Sequence, residues 1–110
     1  MFEYNAVVIK VYDGDSITVD IDLGFGIWAK GQKLRLSGID TPEIRGSSRE
    51  LGLVARDALR NQILGKKIII KTEKDKKGKY GRWLATIYCG SDKSINSWLL
   101  EEGFAVPYEK

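Results

Sequence analysis

Two stretches that alternate apolar with polar residues, a third strand, one amphipathic helix and two further strands predict an α+β chain. That order is the order of a five-stranded Greek-key β-barrel of the OB-fold type, with a capping helix between strands 3 and 4 and a short C-terminal helix. Two signals carry the prediction: an Asp-Gly turn between period-two runs, and an apolar period of 3.6 bounded by helix start and stop residues.

The elements follow in chain order. Val7, Ile9 and Val11 alternate with their neighbours, and Ile17, Val19 and Ile21 repeat the pattern beyond Asp13-Gly14. Asp-Gly between such runs predicts a hairpin. Gly24 and Gly26 end the second strand, and residues 27–39 read as the third. Ser47 and Glu50 stand at capping-box spacing, Leu51, Val54, Ala55, Ala58, Leu59 and Ile63 follow with helical period, and Gly65 closes the helix. Residues 67–72 and 80–89 read as strands joined by a lysine-rich turn around Gly78. A short helix over residues 95–102 ends at Gly103 and leads into residues 104–108. There are no repeats, linkers or low-complexity segments.

A chain of 110 residues predicts one domain spanning residues 1–110, burying roughly 65% of the surface its unfolded form exposes. Histidine is absent, which excludes a Ser-His-Asp triad, a histidine acid–base pair and histidine-ligated zinc. Proton transfer must then fall to Asp, Glu, Lys or Tyr. Cys89 is the sole cysteine, so no internal disulfide is possible, and its apolar setting predicts a buried inert thiol. No apolar run approaches the ~20 residues of a membrane span and no signal-peptide pattern opens the chain, which predicts an intracellular or already processed protein with no membrane partner.

Net charge is +3, but residues 66–82 hold eight Lys or Arg against Glu73 and Asp75. Such asymmetry predicts an edge that faces a polyanion. A solvated lysine turn is the ordinary alternative.

Chemistry-bearing residues gather in four segments: Asp13-Gly14-Asp15-Ser16, Arg35, Leu36 to Glu43, and Lys79-Tyr80-Gly81-Arg82. Counting in twos places Asp15 on the face of Ile17, Val19 and Ile21, and Asp40 in phase with Leu34 and Leu36. Inward carboxylates are costly unless paired or metal-bound. Asp13 is adequately explained by turn chemistry. Asp15, Asp40 and a backbone carbonyl at Thr41 would suit Ca²⁺ or another hard cation. Glu43 either opens a loop after Pro42 or receives a proton from an attacking water. Arg35 and Arg82 are ordinary salt-bridge residues or bidentate phosphate contacts. Strand parity sets Arg35 opposite Leu34 and Leu36, so its convergence with Asp40 requires a bend. Tyr80 is a core aromatic or a base-stacking one.

These residues resemble the thermonuclease family typified by staphylococcal nuclease. The resemblance lies in Val11-Tyr-Asp-Gly-Asp-Ser16, Leu34-Arg-Leu with Ile39-Asp-Thr-Pro-Glu43, Lys79-Tyr-Gly-Arg82 and Leu84-Ala-Thr-Ile-Tyr88, and continues in Asn96 and residues 99–105. It implies an OB-fold nuclease, Ca²⁺-dependent, acting on DNA and RNA with little sequence preference and leaving 3′-phosphates. Carried over, Asp15 and Asp40 are metal ligands with the Thr41 carbonyl a third. Arg35 and Arg82 hold the phosphate, Glu43 is the general base, and Lys79 and Tyr80 line the nucleotide pocket. Residues 23–33 depart from the best-known member as a longer connection bearing Phe25 and Trp28, and the loop after Glu43 is shorter. That member continues through a further strand and helix beyond the point matching Lys110, and Tyr108 does not align with its substrate-stacking tyrosines. A catalytically silent OB module that binds nucleic acid or protein is the competing expectation. Asp15, Arg35, Asp40, Glu43 and Arg82 together argue against it, and a saccharide-binding OB fold leaves the paired aspartates unexplained.

Overall fold

The computed structural model describes residues 2–74 and 83–108. Five strands close a barrel: β1 (Phe2–Asp13), β2 (Ser16–Asp22), β3 (Trp28–Leu36), β5 (Lys67–Lys74) and β6 (Trp83–Tyr88). Around the barrel the order is β1-β2-β3-β6-β5, with β1 antiparallel to β5 and β3 parallel to β6. That is the predicted OB barrel. Outside it, β4 (Ile39–Asp40) pairs with β7 (Val106–Pro107). Helix α1 (Arg49–Ile63) falls between the third and fourth barrel strands, and α2 (Ile95–Glu101) precedes β7. The connection over residues 75–82, including Lys79, Tyr80 and Arg82, lies outside the described residues. No helix among the described residues is long and apolar enough to cross a membrane.

The barrel interior is filled by Val8, Val11, Ile17, Val19, Leu34, Leu36, Ile70 and Ile87, plugged by Leu59 and Ile63 from α1 and Leu99 from α2. Asn96 is the polar member of this interior. Its Nδ2 donates to Ser37 O (2.9 Å) and Ala85 O (3.0 Å), and its Oδ1 accepts from Ile87 N (3.0 Å). One side chain thus ties α2 to β6 and to the turn before β4, and satisfies groups that would be costly to bury unpaired.

Local details differ from the sequence expectation, each for a stated reason. In β1 the buried residues are Ala6, Val8 and Val11, while Ile9 is 48% exposed. A register shift between Val8 and Lys10 inserts Ile9 as an extra residue, and this bulge moves the inward phase from even to odd positions. The hairpin turn is centred on Gly14 and Asp15, with Asp13 paired to Ser16. Gly14 serves close approach there: an added Cβ would lie 2.8 Å from Thr41 Cγ2 and 2.9 Å from Ala55 Cβ. The third strand stops at Leu36, and Gly38, at φ +76°, folds the chain back into β4.

Helix α1 starts one residue later than the Ser47 capping box implies. Ser48 holds the N-cap position without capping; its Oγ donates to Glu43 O (2.8 Å) and Arg45 O (3.1 Å). The buried line of α1 is Gly52, Ala55, Leu59 and Ile63, and Leu51 and Val54 face solvent. The helix needs small residues at its start because the loop over residues 42–43 presses on it. A Cβ on Gly52 would stand 2.7 Å from Glu43 O and 2.8 Å from Pro42 O.

That contact makes a signed prediction. Alanine is ordinarily better than glycine in a helix by about 1 kcal/mol. Gly52→Ala should instead cost about 1–3 kcal/mol, because the new methyl overpacks against backbone that cannot rotate away. Urea midpoints decide it: a variant as stable as its parent would mean that the loop carrying Glu43 yields freely.

Candidate functional site

The site forms where the β1–β2 turn meets the end of β3 and the segment running from β4. Asp15 is 7% exposed and sits in the β1–β2 turn, one residue before β2. Its Oδ2 accepts from Thr41 N at 3.2 Å, its Oδ1 accepts from Ser16 Oγ at 3.2 Å, and its backbone carbonyl accepts from Leu36 N at 2.8 Å. The end of β3 and the segment after β4 are thereby both fixed to one turn.

Arg35 lies on the outer face of β3, as parity requires, and the bend needed to meet Asp40 is the Ser37-Gly38 turn. Its Nη2 sits 3.6 Å from Asp15 Oδ2 and 3.4 Å from Asp40 Oδ1, while Nη1 donates to Ile39 O (3.1 Å) and Leu36 O (3.4 Å). Its side chain retains only 13% exposure. Asp40 does not point inward: its side chain is 55% exposed and Ile39 is the buried member of β4. The positive φ at Gly38 reverses the phase that Leu34 and Leu36 would have imposed.

Thr41 is buried, and its Oγ1 has no hydrogen-bond partner among the described residues. With the Asp15 carboxylate it offers hard oxygen donors, a type that fits Ca²⁺ or Mg²⁺ rather than a soft metal. Among the described residues no three or more Cys, Asp or Glu side chains are already gathered as a cage. Glu43 is exposed, its Oε2 accepting from Arg45 Nε at 2.8 Å, yet it stands near enough to Asp40 to affect its titration. Arg82, Lys79 and Tyr80 lie outside the described residues.

Two side chains that the sequence reading set aside, Tyr108 and Asp13, join the site. Tyr108 stacks its ring 4.7 Å from the Arg35 guanidinium carbon, and its amide donates to Gly38 O at 3.0 Å. Only the β4–β7 pairing brings it there, and no local sequence pattern announces that pairing. Asp13, read as turn chemistry, does accept from Asp15 N at 3.1 Å in an Asx turn. It also crowds Asp15: burial first, then the Asp15 carboxylate, push its carboxyl up to about 6 from 3.8. Partial burial and then Asp15 raise Asp40 as well, against the lowering pull of Arg35.

The native state therefore holds more protons than the unfolded chain between about pH 4 and pH 6. Stability contributed by Asp13 is present below that window and is lost as pH rises through it. Asp13→Asn keeps the turn hydrogen bond without the charge, so in metal-free buffer it should gain on its parent between about pH 4 and pH 7. Parallel stability-versus-pH curves for the two proteins would contradict this assignment.

The barrel rim gathers hard oxygen donors around one guanidinium fork, the group types that suit a cation and a phosphate. Residues 33–110 match the family described as staphylococcal nuclease homologue. The chain belongs to that family. It is 36% identical over 101 residues to a thermonuclease of Staphylococcus hyicus, covering 89% of this chain and 56% of that protein. It is also similar to a staphylococcal-like nuclease of Arabidopsis thaliana, 37% identical over 89 residues, with 76% of this chain and 25% of that protein covered. An uncharacterized endonuclease of Escherichia coli O157:H7 is 28% identical over 103 residues, with 94% and 60% covered. The chain spans 56% to 59% of the length of three of its curated relatives.

Proposed function

We propose that residues 1–110 act as one nuclease domain that hydrolyses phosphodiester bonds of DNA and RNA, with Ca²⁺ as cofactor and little sequence preference, leaving 3′-phosphates. The observation that supports this best is the Arg35 guanidinium set between Asp15 and Asp40, 3.6 Å and 3.4 Å away, at the rim of a barrel of this family. Asp15 and Asp40, with Thr41, would hold the cation, which when bound supplies positive charge to a phosphate oxygen.

The chain's own residues do the rest. Arg35 and Arg82 take the phosphate oxygens as forks, and their hydrogen bonds strengthen as charge accumulates at phosphorus. Tyr108 and the carbonyls of Leu36 and Ile39 keep the Arg35 fork aimed. Glu43 positions the attacking water and takes its proton. The new P–O bond forms from that water, the bond from phosphorus to the 5′ oxygen breaks, and the departing oxygen takes a proton from solvent. One water is consumed per bond cut and nothing is oxidised. Lys79 and Tyr80 line the nucleotide, and the lysine-rich segment adds affinity without sequence preference.

Degradation of single- and double-stranded DNA and RNA in Ca²⁺, in Mg²⁺ and in EGTA tests the proposal. Cleavage of all four polymers in Ca²⁺ and none in EGTA is expected. Binding without cleavage under every condition would identify a silent OB module instead.

A further inference from the structure

Next to the rim, a cleft of about 590 Å³ opens against β1–β3, lined by Lys10, Tyr12, Asp13, Lys33, Glu43 and Arg45 among others. That volume lies within the range of small-ligand pockets, ~300–1,000 Å³. Sheet register builds it: Lys10 pairs with Thr18, and Thr18 pairs with Lys33, so two ammonium groups stand in one row across three strands. Beyond the inward row of Val11, Ile17 and Leu34, the next row runs from Asp13 through Ser16 to Arg35, the rim to which phosphate binding is assigned above. Lys33 and Arg35 share one face of β3, about 6.6 Å apart along the strand. This is comparable with the separation of successive phosphates in an extended single strand.

The charges in the cleft are not equivalent. Lys10 and Lys33 are exposed and enter no ion pair among the described residues. The two acids are engaged: Asp13 accepts from the Asp15 amide, and Glu43 pairs with Arg45 at 2.8 Å. Tyr12, two residues beyond Lys10, is 66% exposed and lines the cleft, so its ring face is open to a base.

We infer that this cleft is a second nucleotide subsite, taking the nucleotide next to the scissile phosphate on the Glu43 side. Lys10 and Lys33 contact its phosphate and Tyr12 stacks its base. The inference rests on the nuclease reading of the neighbouring site, and the experiment separates the two.

Lys10→Gln/Lys33→Gln and Tyr12→Ala are compared with wild type in two assays. The first is binding of a labelled single-stranded DNA oligonucleotide in EDTA over a range of salt. The second is kcat/KM in Ca²⁺ for that oligonucleotide and for a nitrophenyl phosphodiester of one nucleoside, which has no neighbouring nucleotide. Loss of two lysines should weaken binding at least ~10-fold and flatten the log K against log salt slope by about 0.7, the value for one phosphate of a single strand. Tyr12→Ala should weaken binding roughly tenfold and leave the slope alone. Both variants should lose kcat/KM on the oligonucleotide and keep it on the diester, and Lys10→Arg/Lys33→Arg should restore binding. Unchanged oligonucleotide binding and slope, or equal losses on both substrates, would overturn the subsite. If wild type binds but cleaves neither substrate, the nuclease reading fails and the binding arm still decides the cleft. Wild type that neither binds the oligonucleotide in EDTA nor cleaves it in Ca²⁺ overturns both, and wild type that cleaves it in Ca²⁺ without binding it in EDTA overturns the subsite alone.

Discussion

Glu43→Gln and Arg82→Ala should each cut turnover by orders of magnitude, and together by much less than the product of the single losses. The causes differ. Glu43 acts on the water, and a positioned general base is typically worth roughly 10²–10⁴-fold. Arg82 acts on charge developing at phosphorus, where losing one well-placed donor costs roughly 3–4 kcal/mol. Groups that serve one transition state are not additive, because once one is gone the other no longer finds the arrangement it stabilises. Single-turnover rates in Ca²⁺ measure this. Rates multiplying across the two variants would place the groups in separate steps, and wild-type turnover in both singles would remove them from the chemistry.

Asp15→Asn and Asp40→Ala should abolish cleavage while sparing the metal-free fold, and the structure explains why different replacements are needed. Asp15 is buried and receives the Thr41 amide, so an alanine there would strand a buried donor and deprive Arg35 of a partner. Asparagine keeps the acceptor and removes only the charge. Asp40 is 55% exposed and loses one 3.4 Å contact to Arg35, so alanine suffices. Surface changes of that kind usually stay within about 0.5 kcal/mol. Calcium-free thermal unfolding should therefore show Asp40→Ala level with wild type or above it, since like-charge crowding with Asp15 is relieved. A large loss of metal-free stability would make Asp40 a structural acid.

Barrel, helix and the inward aspect of Asp15 were legible because period and turn chemistry are local. Ile17, Val19 and Ile21 share a phase with Asp15, and nothing between them interrupts it. The phase failed where backbone irregularity intervened: at Ile9, because the bulge looks like any other strand residue, and at Asp40, because Gly38 reverses direction before it. The exposure of Leu51 and Val54 follows from how closely α1 approaches the segment that carries Glu43, a tertiary fact. Tyr108 over Arg35 was equally out of reach, since it depends on a two-residue pairing between β4 and β7. Motif spacing identified the segments of the site; their meeting point required the fold.

The central claim is that Asp15 and Asp40 hold the cation that the surrounding residues use. A Ca²⁺ titration of single-turnover cleavage, run on wild type and Asp40→Asn with one labelled oligonucleotide, tests it most directly. The midpoint for the variant should rise at least ~10-fold, as removal of one coordinating charge predicts, while oligonucleotide binding in EDTA is unchanged. The same Ca²⁺ midpoint in both proteins would contradict the account.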